Sequence, residues 1–188
     1  MKNAVLALWC IASAAFAADP AAAPRSFAVL PEKSEVTFKV IHKFHEVVGK
    51  AKAEGKARVL PDGTVQVQVL ARVAEFDSGN ANRDAHMKEV TEAAKFPTVE
   101  LKAVGTGFKL PEPGAKAELP LKGQLTFHGV AAPIEVKVNV QAVDATHFSA
   151  ESRLAISLEA HKVERPSLLT VKVDDQAQIE LRAQLEAR

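Results

Sequence analysis

From Phe27 onward, apolar and polar residues alternate along much of the chain. This period of two is typical of β-strands with one face buried and the other in water. The apolar faces fall into separate runs, so the pattern predicts many strands. The clearest faces are Val36, Phe38, Val40 and His42; Val65, Val67, Val69, Ala71 and Val73; Ala117, Leu119, Leu121, Gly123, Leu125 and Phe127; Ile134, Val136, Val138 and Val140; and Ala177, Ile179, Leu181, Ala183 and Leu185.

One segment, residues 80–94, departs from this alternation and is predicted to form a short amphipathic helix. Asn80 or Asn82 could cap its start, because an asparagine side chain accepts a hydrogen bond from a free amide of the first turn. Pro97 follows soon after its end, as is typical of helix termination. The residues at helical spacing are Arg83, Met87, Val90 and Ala94.

Turn residues separate the predicted strands. Pro-Asp-Gly at 61–63 lies between two alternating runs and predicts a hairpin. Pro-Glu-Pro-Gly at 111–114 predicts a second connection. Residues 167–172 are interpreted as a weaker helix or a loop.

About eight long strands and one helix favour a closed sheet. Open antiparallel sheets leave unpaired edges, which closure into a barrel removes. The expected fold is an all-β, antiparallel, closed β-barrel of about eight strands, with the helix at one end, in a single domain over residues 26–188. A barrel of this size can hold one small ligand.

The N-terminal residues are typical of an export signal. Lys2 precedes an apolar stretch, residues 4–15, that is too short to span a bilayer. Ala15 and Ala17 supply the small side chains that a signal peptidase needs, so residues 1–17 are expected to be removed, with cleavage after Ala18 as an alternative. Residues 18–25 are expected to form a poorly ordered lead-in, and the mature protein is expected to be periplasmic or secreted.

The composition and charge of the chain argue against several classes of function. Formal net charge is +1 and no block of Lys and Arg is long enough for nucleic-acid binding. Cys10, the one cysteine, lies within the predicted signal, so no disulfide or thiolate-bound metal is expected in the mature chain. No later apolar run reaches the length of a membrane span.

The run at 47–59 indicates a cavity. Its polar face is rich in Lys, whereas its other face carries Val47, Gly49, Ala51, Ala53, Gly55 and Ala57. Such small inward residues leave space unless a neighbour fills it. Alternatively, the helix, Phe38 or Phe127 packs on this face, or the glycines ease barrel curvature. The candidate wall residues are Phe38, Val40, Gly49, Ala51, Ala53, Val67, Val69, Met87, Val90, Leu101, Leu125, Phe127, Val136 and Phe148.

Polar residues are weighed as ligands of a head group at the cavity mouth. The candidates are His42, Arg83, His86 and His128. No histidine spacing predicts three converging metal ligands, and no nucleophile, base and orienting group assemble, so neither a metal site, a cofactor nor a catalytic residue is expected. For Arg83, the alternative is a structural role with Asp84, through an ion pair or hydrogen bonds at the helix start.

Three segments carry a resemblance to the YceI family. The first is Ser-Glu-Val-Thr-Phe-Lys-Val at 34–40, followed by His42 and Gly49. The second is Asn-Arg-Asp-Ala-His-Met at 82–87, continuing to Lys-Phe-Pro-Thr at 95–98. The third is Leu-Lys-Gly-Gln-Leu-Thr-Phe-His-Gly-Val at 121–130, with Pro133 after it. The resemblance covers about residues 26–185, and it departs at 157–166, where many members carry an Asn-Arg-Asp-Phe-Gly-like stretch.

This resemblance implies a lipocalin-like, exported barrel that binds a polyisoprenoid or the isoprenoid tail of a quinone and is not an enzyme. Two other functions stay open. One is a stress-related partner-binding domain without a lipid, and the other is an enzyme that uses His86 or His128. The sequence also leaves a homodimer open.

Overall fold

The computed structural model describes residues 23–42, 45–165, 167–168 and 171–188. The predicted signal lies outside the described residues, as does most of the predicted lead-in. The elements in chain order are β1 (Arg25–Val29), β2 (Glu35–His42), β3 (His45–Lys52), β4 (Glu54–Val59), β5 (Val65–Arg72), α1 (Ala81–Val90), β6 (Thr98–Gly105), β7 (Lys116–Phe127), β8 (Val130–Ala142), β9 (His147–Ser157), β10 (Ser167–Leu168), β11 (Val171–Lys172) and β12 (Gln176–Ala187).

The strands form a closed antiparallel barrel, which confirms the predicted fold class. Neighbouring strands run in the order β1, β4, β5, β6, β7, β8, β9, β12, and β12 pairs with β1 to close the ring. The hairpin of β2 and β3 continues this wall toward one end, where β2 pairs with β12 beside β1. Within the described residues, no helix is both long and apolar enough to cross a membrane.

The run at 47–59 is two strands rather than the single strand that its alternation predicts. The strand is interrupted at Ala53, which is fully buried and whose backbone amide donates a hydrogen bond to the Ser34 carbonyl at 3.2 Å. Beyond this break, β4 pairs with β5, whereas β3 forms no ladder with β5. Instead, Lys50 and Asp77 exchange two backbone hydrogen bonds of 2.8 and 2.9 Å. The segment that carries α1 therefore completes this side of the wall.

Large side chains fill the end of the barrel away from α1. The T-shaped pair of Phe27 and Phe148, with ring centroids 5.2 Å apart, belongs to this filling. Next to it lies a cluster that we call the closed-end core, which consists of Val65, Ala103, Phe108, Leu119, Leu121 and Val136. The cavity described below lies in the half of the barrel nearer α1.

The helix begins as the sequence predicts but ends earlier. The Asn80 side chain accepts a hydrogen bond from the Arg83 amide at 3.1 Å, which confirms one of the two predicted caps. The Thr91 hydroxyl donates to the Met87 carbonyl at 2.6 Å, and Glu92 adopts a φ of 45°. This left-handed residue cannot continue a helix, so α1 ends at Val90 rather than at the predicted Ala94.

Both predicted connections are present, and one segment differs from its prediction. Gly63 has a φ of 80° in the turn between β4 and β5, which confirms the hairpin at 61–63. Residues 111–114 lie between β6 and β7. Residues 167–172, predicted as a helix or loop, instead contribute the paired strands β10 and β11. Two residues per strand are too few for an alternating pattern to show in the sequence.

The turn between β8 and β9 makes stability depend on pH. Hydrogen bonds from the Thr146 and His147 backbone amides and from the His147 ring hold the pKa of Asp144 well below its usual range. A depressed folded-state pKa stabilises the protein above the unfolded pKa of about 3.9 and loses that effect as pH falls. We therefore expect Asp144→Asn to lower the urea midpoint at pH 5, by an amount that shrinks at pH 3. Glu151→Gln, at an exposed position, is the control, and a difference independent of pH would contradict this account.

Candidate functional site

The barrel half nearer α1 encloses a cavity of about 250 Å³, with an accessible wall made only of apolar atoms. Strands from both sides of the ring contribute side chains, and α1 covers one side of the opening. The lining residues are Val36, Phe38, Val40, Val47, Val69, Leu70, Ala71, Phe76, Arg83, His86, Met87, Val90, Thr91, Val99, Leu101, Leu125, Phe127, Leu154, Ile156, Leu158, Val163, Glu164, Val173, Ala177, Ile179 and Leu181.

The structure brings many of the candidate wall residues together. The candidates that line the cavity are Phe38, Val40, Val69, Met87, Val90, Leu101, Leu125 and Phe127. The other candidates lie elsewhere in the wall or in the filled end of the barrel. They are Gly49, Ala51, Ala53, Val67, Val136 and Phe148. Val67 and Val136 belong to or pack against the closed-end core, and Phe148 pairs with Phe27.

The small residues of β3 do not leave the predicted space. A Cβ atom at Gly49 would overlap the ring of Phe38, its partner on β2. That ring is 7% exposed and lies 5.0 Å from the Phe76 ring. The space above Gly49 is therefore filled by Phe38, which is the alternative that the sequence left open. The cavity lies on the other side of this ring.

Sequence reasoning missed the contribution of the C-terminal half of the barrel. The alternation of β9 and β12 predicts which of their side chains point inward, but not which of these lie level with Val69 or Leu125. The lining residues missed on these two strands are Leu154, Ile156, Ala177, Ile179 and Leu181. The closed ring brings these side chains to the cavity because β9 lies opposite β5 and β12 lies opposite β6.

Polar residues mark the cavity mouth, which we define by the half-buried Arg83 and the exposed His86 and Glu164. A second, polar groove adjoins the mouth and shares His86, Val90 and Glu164 with the cavity lining. Its other residues are Glu89, Glu92, His128 and Lys162. Arg83 and His86 thus lie at the mouth, whereas His128 lies in the adjoining groove. His42 ends β2, and its side chain is outside the described part of the structure.

Arg83 is held by the loop before α1. Its Nε donates to the Ser78 hydroxyl at 2.8 Å and its Nη2 donates to the Ser78 carbonyl at 2.7 Å. The Ser78 hydroxyl in turn donates to Asp84, and this hydrogen bond is the main reason that the pKa of Asp84 lies below its usual value. Arg83 and Asp84 therefore fix the helix start through a shared serine. Two of the Arg83 donor groups are already engaged, which limits what Arg83 offers to a ligand.

His128 is also held by the protein itself. Its Nδ1 lies 3.2 Å from the His161 carbonyl oxygen, its Nε2 lies 2.9 Å from the Glu92 carboxylate, and its ring meets the Phe96 ring edge-on at 4.8 Å. Both ring nitrogens face protein acceptors, so His128 joins three segments at this end of the barrel. In the described part of the chain, no three His, Asp or Glu side chains are grouped to hold a metal ion.

Solved structures share this architecture. A polyisoprenoid-binding domain from Saccharophagus degradans is 17% identical, with a TM-score of 0.72 over 86% of this chain and 98% of that one. BcnA from Burkholderia cenocepacia is 21% identical, with a TM-score of 0.69 over 83% of this chain and 98% of that one. At these identities the likeness shows the fold alone. No curated protein sequence matches the chain.

The family is shown by the sequence itself. The model of the YceI-like domain matches residues 27–185, which span the barrel from β1 to β12. The match covers all three segments that carry the resemblance, and it includes the departure at 157–166. The chain therefore belongs to the YceI-like domain family.

Proposed function

We propose that this protein is an exported binding protein that holds an isoprenoid-type lipid, either a polyisoprenoid or a quinone tail, in the barrel cavity. The observation that carries the proposal is the cavity wall, which exposes only apolar atoms to a bound molecule. Such a wall offers no hydrogen bond, so it favours a hydrocarbon chain over any polar ligand.

Burial of a hydrocarbon chain is enough to account for binding, with no covalent step. Each methylene moved from water into the cavity contributes about 0.8 kcal/mol, so a few branched units offset the cost of immobilising the ligand. The head group would remain at the mouth beside His86 and Glu164, where water is available. Arg83 is bonded to Ser78, His86 lies 3.6 Å from the Glu89 carboxylate, and His128 in the adjoining groove lies 2.9 Å from the Glu92 carboxylate.

Relatives support the same ligand class. The Saccharophagus degradans domain is described as polyisoprenoid-binding, and its barrel matches this one over most of both chains. Export rests on the sequence of residues 1–17, with its short apolar stretch and small residues before the expected cleavage site. Removal of this segment would leave the barrel intact, because β1 begins at Arg25.

Native mass spectrometry of the protein recovered from a bacterial periplasm tests both the export of the protein and its binding of a lipid. We expect the mass of a chain without residues 1–17, plus an adduct that denaturation releases and that fragments as an isoprenoid. The comparison is Val69→Trp, which places an indole in the cavity. Excluding even two methylenes costs about 1.6 kcal/mol, roughly tenfold in affinity, so this variant should carry little or no adduct.

Gln66→Trp is the matched control, because Gln66 lies on the exposed face of the same strand. It should keep the adduct of the unmodified protein. Absence of any lipid from the unmodified protein, even after incubation with prenyl lipids, would refute the binding function. Retention of residues 1–17 in the periplasmic protein would refute the cleavage while leaving the binding function standing.

A further inference from the structure

We infer that the cavity mouth selects a lipid whose head group carries a hydroxyl, such as a prenyl alcohol, a prenylated phenol or a quinol, over the corresponding ether or quinone. Glu164 is the residue that makes this selection, by accepting a hydrogen bond from the hydroxyl. The inference rests on the proposed function and adds the chemical class of the head group.

Glu164 lies on the boundary between the cavity and the polar groove that adjoins it. It is an acidic residue that lines both, whereas Glu89 and Glu92 line the groove alone. Because the accessible cavity wall consists of apolar atoms, Glu164 contributes methylene carbons there, and its carboxylate lies on the groove side. A hydrocarbon chain that fills the cavity therefore places its head group next to this carboxylate.

The Glu164 carboxylate is available to a ligand. The residue is exposed, and within the described part of the chain its side chain has no hydrogen bond or ion pair. By contrast, the Glu92 carboxylate lies 2.9 Å from His128 Nε2. The Glu89 carboxylate lies 3.6 Å from His86 Nδ1. An ionised carboxylate accepts hydrogen bonds but donates none, so Glu164 matches a head group that donates.

The polar groups of the cavity mouth and wall offer few donors. Arg83 directs its Nε and Nη2 at Ser78, at 2.8 and 2.7 Å. The Thr91 hydroxyl donates to a carbonyl of α1 at 2.6 Å. The Glu89 carboxylate on the Nδ1 side of His86 favours the neutral ring with its proton on Nδ1, so Nε2 is left as a second acceptor. The mouth therefore favours a head group that supplies the hydrogen.

A hydroxyl and an ether or carbonyl oxygen differ in what they offer Glu164. The hydroxyl forms a charge-assisted hydrogen bond, which is stronger than one between neutral groups. An ether or carbonyl oxygen has only lone pairs to present to the same carboxylate. Lys162 lies in the groove but does not line the cavity, so it is not the group that the head meets first. Because water also competes for the carboxylate at an open mouth, we expect a preference of roughly fivefold to tenfold.

Competition between a prenyl alcohol of four isoprene units and its methyl ether tests this preference. The two lipids share one chain, and the ether has an additional carbon, so apolar burial alone favours the ether. Native mass spectrometry of the delipidated protein, with both lipids at equal concentration, separates the two complexes by mass. We expect the alcohol complex to exceed the ether complex by roughly fivefold to tenfold. A prenylated hydroquinone, kept under argon, should exceed its quinone in the same way.

Substitution of Glu164 should remove the preference. Glu164→Gln keeps the size of the side chain, but its amide both accepts and donates, so the two lipids should bind within about twofold of each other. Glu164→Ala removes the acceptor and should give the same result. Glu159→Gln is the matched control, because it removes the same charge from an exposed residue of the same loop that lines neither the cavity nor the groove. It should keep the preference for the alcohol.

The outcomes separate the head-group selection from the lipid binding on which it rests. Equal binding of the alcohol and the ether by the unmodified protein, or tighter binding of the ether, would overturn the selection while leaving lipid binding in place. A preference for the alcohol that survives in both Glu164 variants would overturn the role of Glu164. Failure of both lipids to bind would overturn the proposed function and the head-group selection with it.

Discussion

Phe38→Ala is expected to destabilise the protein by about 3–5 kcal/mol, which is a large part of the stability of a domain of this size. The Phe38 ring is 7% exposed, covers Gly49 on the paired strand and lies against Phe76. Alanine removes the whole ring, and neither Gly49 nor its neighbours can fill the space. Urea unfolding followed by circular dichroism measures the change in the free energy of unfolding.

The same variant should also enlarge the cavity, because Phe38 is part of its wall. Its control is Phe148→Ala, which removes an equally buried ring at the filled end, 3% exposed. Both variants should lose similar stability, but only Phe38→Ala should accept a bulkier prenyl ligand. If both variants bind prenyl alcohols of one to four isoprene units with the same affinities, the ring of Phe38 does not limit the size of the binding site.

Gly123→Val is expected to cost about 3 kcal/mol or more. A Cβ atom at Gly123 would overlap the Lys102 carbonyl oxygen and would lie 2.5 Å from the Ala103 Cα. Both are backbone atoms of the neighbouring strand β6, in the Ala103–Gly123 register position. The clash cannot be relieved by a change of rotamer, so β6 and β7 must separate locally. Thermal and urea unfolding of the purified variant measure the loss.

The control for this substitution is Gln124→Val, one residue along the same strand on its exposed face. A valine side chain there points to solvent and does not clash with the backbone of β6, so the free energy of unfolding should change by about 0.5 kcal/mol or less. A folded Gly123→Val protein as stable as the Gln124→Val protein would show that the two strands can adjust without cost. It would then follow that the close approach at Gly123 is not needed for the barrel.

Local patterns in the sequence are enough to predict most of the fold. Alternation depends only on the side chains of one strand, and the cap at Asn80 depends only on the next three residues, so both could be recognised without knowing any partner. The hairpin at 61–63 follows likewise from the residues of the turn. Even so, alternation continues across Ala53, and only the hydrogen bond to Ser34 shows that the strand ends there.

The candidate site depends on which inward faces share a level in the barrel, and that is set by pairings between distant strands. Val67 and Val69 are equivalent in the pattern, yet the first packs on the closed-end core and the second lines the cavity. Gly49 would leave empty space only if the side chain of its cross-strand partner pointed away from it. The Phe38 ring instead lies over Gly49. Alternation therefore predicts an apolar inward wall, but not how far the cavity extends along the barrel.

The exchange of backbone bonds between Lys50 and Asp77 has a mechanical consequence. Around the eight-strand ring each strand is joined to its neighbours by a ladder, whereas β3, which lies outside that ring, is joined to the segment before α1 by two hydrogen bonds. At a net contribution of about 1 kcal/mol per bond, the backbone bonds of this seam contribute about 2 kcal/mol, beside the packing of Phe38 on Phe76. Separation of β3 from this segment would therefore break two backbone hydrogen bonds and leave the ladders of the eight-strand ring intact.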